Sequence, residues 1–444
     1  MNFPRIAAVR GIAPVVVCAA LLLLASPLDA RGRKRRDIRV GTVEELYAAV
    51  NDTSNRDARV HLAPGIYLLS PLDPDGVPRP YKGSLRMPPG LSLIGSEEHV
   101  DRDGDGVPDP IDAENPDVFA VPGTETVIDG SQLDLPFEER ADCAGEFRFF
   151  PDPVIYIGSN NTISTLTLVG GAHVPIGEPT NDPVAADGSL SIEIRDTVLQ
   201  GDLIAMTFAN SECSARHARS VLRLSHSVLR GGLLIQNFYT GDASDDPTDG
   251  PEIRATVAFN LFYDSGTGLR AAAADEGADG GSVTLHTVGN VFRSNGTNLQ
   301  LRGAVGRDGL RTVGNRLVVT SEADIFGEAP RSVFVSAGAG DAVSNLVKVE
   351  FFDSRFIRDS PDTPPEFTIV GGEGGASDDH ASILITRATV RTSDGDAVEG
   401  GLSIEDETDA GEPASTARLA GSRREFIRKN QGLPAPPEHF FVGH

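Results

Sequence analysis

Tryptophan is absent from this chain and aromatic residues make up only 6% of it, which counts against a sugar-stacking groove without excluding one. Positive charge is scarce as well. The 39 Lys and Arg residues face 64 Asp and Glu, for a formal net charge of −25. Nucleic acid and anionic membrane must be met by positive charge, so neither fits as the main partner, and an undressed polyanionic substrate is disfavoured on the same ground. Only three cysteines occur. Cys18 lies in an apolar stretch without a lipid-attachment context, which leaves Cys143 and Cys213 either to form one bridge in an oxidising compartment or to stand as two separate buried thiols. No apolar run is long enough for a membrane span. The longest, Ile12 to Ala25, has about 14 residues, short of the roughly 20 that a helix needs.

That run reads instead as a secretory signal. Arg5 and Arg10 precede it and Leu28-Asp29-Ala30 offers a cleavage site. The first 30 residues carry a net +1, so the cleaved chain stands at −26. The basic run Arg31, Arg33, Lys34, Arg35 and Arg36 works against translocation, but the reading is an exported protein, secreted or held in the periplasm or at the cell surface, with no membrane contact after signal removal.

What is present in quantity is a repeat. Between Ile192 and Val390 a small polar residue recurs two positions before a large apolar one: Thr197-Val198-Leu199, Ser227-Val228-Leu229, Asn260-Leu261-Phe262, Asn290-Val291-Phe292, Asn315-Arg316-Leu317 and Ser354-Arg355-Phe356. The steps are 30, 33, 30, 25 and 39 residues. Alternating runs such as Ile192-Glu193-Ile194-Arg195 and Val283-Thr284-Leu285-His286 precede the segments, and a second apolar run follows most of them. Self-similarity at this period marks a solenoid, and period-two alternation makes its units strands. The expected fold is an all-β, right-handed parallel β-helix in which Leu199, Leu229, Phe262, Phe292, Leu317 and Phe356 stack as one interior column. Asn recurs, on this reading, because the bend between strands needs a residue that tolerates the left-handed region, and Asn over Asn can form a hydrogen-bond ladder.

Upstream, Val43–Val50 reads as a short amphipathic helix with Thr42 as N-cap and Glu45 closing a capping box, placed to cover the open end of the first turn. The wording "TVEELYAAV", "VHLAPGIYLLS", "LSLIGS", "TVIDG" and "NNTISTLTL" resembles right-handed parallel β-helix proteins of the pectin lyase-like superfamily over roughly residues 42 to 404. The resemblance implies the fold and leaves the activity open, because that superfamily holds lyases, hydrolases, esterases, epimerases and non-enzymatic surface proteins. The organisation expected is a signal peptide at 1–30, a basic linker at 31–41, the β-helix at 42–404 with an insertion at 97–120, and an acidic linker and tail at 405–444. A second insertion, Phe137–Pro153, holds Cys143, and residues 417–430 are expected as a short terminal helix.

The insertion carries one explicit motif. Asp101, Asp103, Asp105, Asp109 and Asp112 occupy loop positions 1, 3, 5, 9 and 12, with Gly106 at the sharp turn and the Val107 carbonyl as a further oxygen. Converging oxygens on a tight loop are what Ca²⁺ requires, and five carboxylates so close repel one another without it. The loop resembles those of thrombospondin type 3 repeats, and a structural Ca²⁺ is the expected cofactor.

Catalytic signatures of the superfamily are mostly missing, and Asp378-Asp379-His380 reads as solvated surface. If the alternating runs share a sheet, Glu193, Arg195, Arg223, Arg254 and His286 fall in adjacent outward columns, while a neighbouring sheet presents Arg270, Gln300 and Arg302. Arg223, Arg254 and His286 are the candidate catalytic residues. Glu193, Arg195, Arg270 and Arg302 are the candidate substrate contacts. In lyase-type β-elimination, Arg neutralises a uronate carboxylate and His286 or an Arg removes the α-proton. The functional expectation is an exported protein that binds or processes an extracellular polysaccharide. A non-catalytic surface or structural protein is the alternative, and the glycan and the oligomeric state are open.

Overall fold

The computed structural model describes residues 35–96, 125–133, 137–141, 147–151, 153–171, 176–177, 190–211, 219–238, 250–275, 279–306, 312–327, 329–358, 366–370, 376, 379–386, 388–392, 403–406 and 416–420. The chain is a parallel β-helix with three strand faces. Twelve parallel strands form the first face, from Asp37–Val40 to Thr416–Ala420. Alternation puts one side chain in two inside, so the register can be read as columns. Ile194, Leu224, Val257, Thr287, Ser321, Phe351 and Ile385 lie one over the next inside this face.

A second sheet of 18 strands follows two tracks. Short strands such as Leu261–Tyr263, Val291–Arg293 and Ile325–Phe326 make the second face. Longer ones such as Thr267–Asp275, Thr297–Val305 and Arg331–Ala339 make the third. Val198–Ser211 and Val228–Phe238 run through both.

The interior column of the second face runs Tyr67, Ile128, Leu168, Leu199, Leu229, Phe262, Phe292, Phe326, Phe356 and Val390. All ten are buried. Five of the six expected members are in it, and Leu317 is not. Leu317 sits in the first face between Val283 and Val347, and Phe326 takes its place. The uneven steps of 25 and 39 residues came from that misplacement, because Asp324-Ile325-Phe326 carries Asp where the neighbouring turns carry Asn. Four Phe rings stack almost parallel, with centroids 4.8, 5.0 and 4.9 Å apart in sequence from Phe262 to Phe356, so strand spacing itself sets the ring spacing.

The bends also differ from expectation. The left-handed residue is the one before the ladder residue: Asp196, His226, Phe259, Gly289, Ala323 and Asp353 all have φ between 48° and 61°. Asn at the next position does the bonding. Asn260 N–H and Nδ2 donate to Asn290 Oδ1 (3.0 and 2.9 Å), and Asn290 N–H and Nδ2 donate to Asp324 Oδ1 (2.7 and 2.9 Å). A second ladder joins Asn315, Asn345 and Asp379 in the same way. Each ladder therefore ends on a buried carboxylate, which only accepts and so closes a line of donors. Asp379 is thus a ladder terminus and not solvated surface.

The expected capping helix is present at Val43–Val50. Thr42 accepts from the Glu45 N–H, and Glu45 accepts from the backbone of Thr42 and Gly41. It buries Leu46, Tyr47, Ala49 and Val50 against the first turn. Strand Asp37–Val40 precedes residue 42, strand Ser403–Asp406 runs across residue 404 and Thr416–Ala420 follows it, so the coil's strands reach past both expected bounds. Residues 417–420, expected as helix, pair with the strand His380–Thr386. Phe137–Ala141 and Phe147–Pro151 leave the coil as an antiparallel hairpin.

Candidate functional site

The first face carries the three candidate catalytic residues. Glu193, Arg223, Thr256, His286, Thr320 and Glu350 form one outward column. Arg254 lies in the next column with Thr284 and Lys348, and Arg195 lies on the other side with Ser225 and Glu322. The structure thus brings Arg223 and His286 into one line, two turns apart. Their surroundings are open and paired. Arg254, 68% exposed, reaches Glu252 at 2.6 Å, and His286, 44% exposed, lies 3.8 Å from Glu322. Arg195 approaches Asp196 at 3.7 Å. Exposed pairs of this kind contribute about 0–1 kcal/mol each and hold no fixed geometry.

The third face is different. Arg86, Tyr156 and Gly177 share one register, joined through Ile176 and Met206 to Thr207, Leu234, Arg270, Gln300, Phe334 and Thr368. Beside it runs Ala209, Gln236, Ala272, Arg302, Ser336 and Val370. From Leu234 and Gln236 onward these side chains point away from the core, yet Gln236, Ala272, Phe334, Ser336, Thr368 and Val370 are buried and Arg270, Gln300 and Arg302 are half-buried. An outward side chain on a sheet is buried where neighbouring side chains or chain segments cover it, so this face is covered where the first is open. On this face the Arg302 and Arg331 guanidiniums stand 5.6 and 5.0 Å from the Phe334 ring centroid, and Arg331 reaches Glu366 at 3.2 Å. Ring and cations attract one another at these distances.

The seven candidate residues therefore divide between two faces: Glu193, Arg195, Arg223, Arg254 and His286 on the first, Arg270 and Arg302 on the third. Sequence reasoning missed Arg331, Phe334, Arg86 and Tyr156. The signal for the first two was available, since Arg331-Ser332-Val333-Phe334 continues the alternation of Thr297–Val305 one turn later. Arg86 and Tyr156 carried none, because insertions separate them from the repeat. The calcium-loop residues Asp101, Asp103, Asp105, Val107, Asp109 and Asp112, together with Cys143, Cys213 and the signal segment, lie outside the described residues. The loop falls between the first-face strand Ser92–Ile94 and the second-face strand Thr126–Asp129. Among the described residues no group of His, Cys, Asp and Glu is placed to hold a metal, and no helix is long and apolar enough to cross a membrane.

No family model matches the chain, and no curated protein does. Among solved structures, the A-module of Azotobacter vinelandii mannuronan C-5 epimerase AlgE4 aligns over 88% of this chain and 96% of its own, at 12% identity and a TM-score of 0.26. The AlgE6 A-module from the same organism aligns over 86% and 95%, at 11% identity and a TM-score of 0.27. Likeness at that level carries no argument, and the fold and the candidate faces rest on the registers and side chains above.

Proposed function

We propose that this is an exported, calcium-stabilised β-helix protein that binds an extracellular polysaccharide along its third face, with uronate-type carboxylates received by Arg270, Arg302 and Arg331. The observation that carries the reading is the cluster itself: three arginines and one ring in successive turns on a chain of net charge −25. A guanidinium beside an aromatic ring suits the planar carboxylate of a sugar ring, and this cluster is where a polyuronate, which the net charge disfavours elsewhere on the chain, meets positive charge. A polymer lying along the coil axis meets one turn about every 4.8 Å, so it presents repeated groups to repeated side chains.

Binding without turnover is the reading the geometry favours. Lyase-type elimination needs a base held beside the carboxylate-neutralising group, and on the first face Arg223 and His286 stand two turns apart, with His286 44% exposed beside Glu322. The test is a panel of polyuronates and neutral glycans, scored for affinity by calorimetry and for unsaturated products by ultraviolet absorbance. Tighter binding of polyuronates that falls at least tenfold in Arg270→Ala with Arg302→Ala, without product absorbance, supports the reading. Product formation that disappears in His286→Ala would replace it with β-elimination on the first face. Equal affinity for charged and neutral polymers would remove both.

A further inference from the structure

Among the described residues, every exposed large hydrophobic but Phe259 lies between Ile66 and Tyr81, and the last of these is held in an unusual way. Tyr81, Lys82 and Gly83 have φ of 54°, 55° and 91° in succession. Residues with a β-carbon rarely adopt the left-handed region, and two together persist only where the surroundings impose them. Here the surroundings do. The Tyr47 hydroxyl, on the capping helix, lies 2.6 Å from the Gly83 carbonyl and also bridges to the backbone of Ser70. A β-carbon at Gly83 would lie 2.4 Å from the Ser70 oxygen, so the loop has no slack.

This fixed turn holds the Tyr81 ring out, 44% exposed. Its centroid is 6.3 Å from that of Tyr156 at 59°, and the Arg86 guanidinium lies 5.2 Å from its centre while donating to its hydroxyl at 3.3 Å. Arg86 and Tyr156 begin the same outward register that reaches Arg270 four steps after Tyr156, roughly 19 Å along the axis at strand spacing.

Resting on the reading of the third face as a polysaccharide site, we infer that Tyr81, with Tyr156 and Arg86, forms its terminal subsite: a platform on which the apolar face of a pyranose ring stacks, with Arg86 meeting a hydroxyl or carboxylate oxygen at the ring edge. The strained turn explains the exposure, since a tyrosine kept for packing would be turned inward. A platform this far from Arg270 touches only polymers long enough to bridge the two.

The test uses the chain beginning at Arg31 and size-fractionated polyuronate oligomers, some too short and some long enough to span from Tyr81 to Arg270. Tyr81→Ala should weaken binding of the long oligomers about tenfold, the order of one stacked aromatic contact, and leave the short ones unchanged, while Tyr81→Phe retains most of the affinity. Tyr81→Gly should raise Tm and lose the same affinity, because glycine relieves the turn but removes the ring. Long and short oligomers weakened alike in Tyr81→Ala, with a lower Tm, would mean the residue only supports the fold and would overturn the inference. Long-oligomer affinity unchanged in Tyr81→Ala but reduced in Arg270→Ala would overturn the subsite alone. Affinity unchanged in Arg270→Ala and Arg302→Ala would overturn the third-face reading beneath it.

Discussion

Replacing Asp324 by Asn tests how the coil closes its longest polar ladder. The carboxylate is fully buried. It accepts Asn290 N–H and Nδ2 on Oδ1, and the Thr287 and Ser321 hydroxyls on Oδ2. Thr287 and Ser321 are themselves interior residues of the first face, at two successive turns of a column whose other members are aliphatic or aromatic. Two hydroxyls in the core thus exist to serve one carboxylate. Burial raises its pKa from 3.8 to about 6, with the four hydrogen bonds pulling the other way. A raised carboxylate pKa means the fold prefers the protonated form. The favourable contribution is fully present below about pH 4 and is lost as pH rises through 6. The separation, about two pH units, corresponds to about 3 kcal/mol between acid and neutral solution. Asn cannot ionise, keeps the acceptor for Asn290, and can donate its Nδ2 to both hydroxyl oxygens. Asp324→Asn should therefore match the parent near pH 4 and exceed it by up to about 3 kcal/mol at pH 8. Urea unfolding at pH 4, 6 and 8 measures this, read as the difference between the two proteins so that the many surface carboxylates cancel. A variant less stable than the parent at pH 8 would refute the argument and show that the ladder needs the charge. Asp324→Ala, which orphans four donors, should be destabilising at every pH.

Phe292→Ala removes the second ring of the four-ring stack and should cost about 3–5 kcal/mol in denaturant unfolding, whereas Arg293→Ala beside it should stay within about 0.5 kcal/mol. Asn290→Ala breaks the ladder between Asn260 and Asp324 and should cost about 1–3 kcal/mol; no loss would mean that water satisfies those groups. Calcium should raise Tm, and Asp103→Ala with Asp105→Ala should abolish the rise. Calorimetry that detects no binding at millimolar calcium would end the calcium proposal.

The solenoid, its strand period, the capping helix and most of the interior column were legible in the sequence, because each turn contacts only its neighbours and a local pattern repeated along the chain is the fold. Asn290 and Phe292 announced themselves by recurrence. Asp324 did not, since a carboxylate in an apolar interior is read from sequence as a surface residue until the two hydroxyls that receive it are known, and that hid Phe326 two positions later. The αL positions were equally silent: Asp196, His226, Phe259, Ala323 and Asp353 share a backbone angle but no side-chain chemistry. The outward residues divide the same way. Sequence alone fixes that Arg223, His286, Arg270 and Arg302 point away from the core, because alternation does that within a single strand. Which of them stand in open solvent and which are half-buried depends on what covers each face, and which residues from distant insertions, such as Arg86 and Tyr156, join a column depends on register between strands far apart in the chain. Both are properties of the assembled coil, so only the tertiary structure decided them.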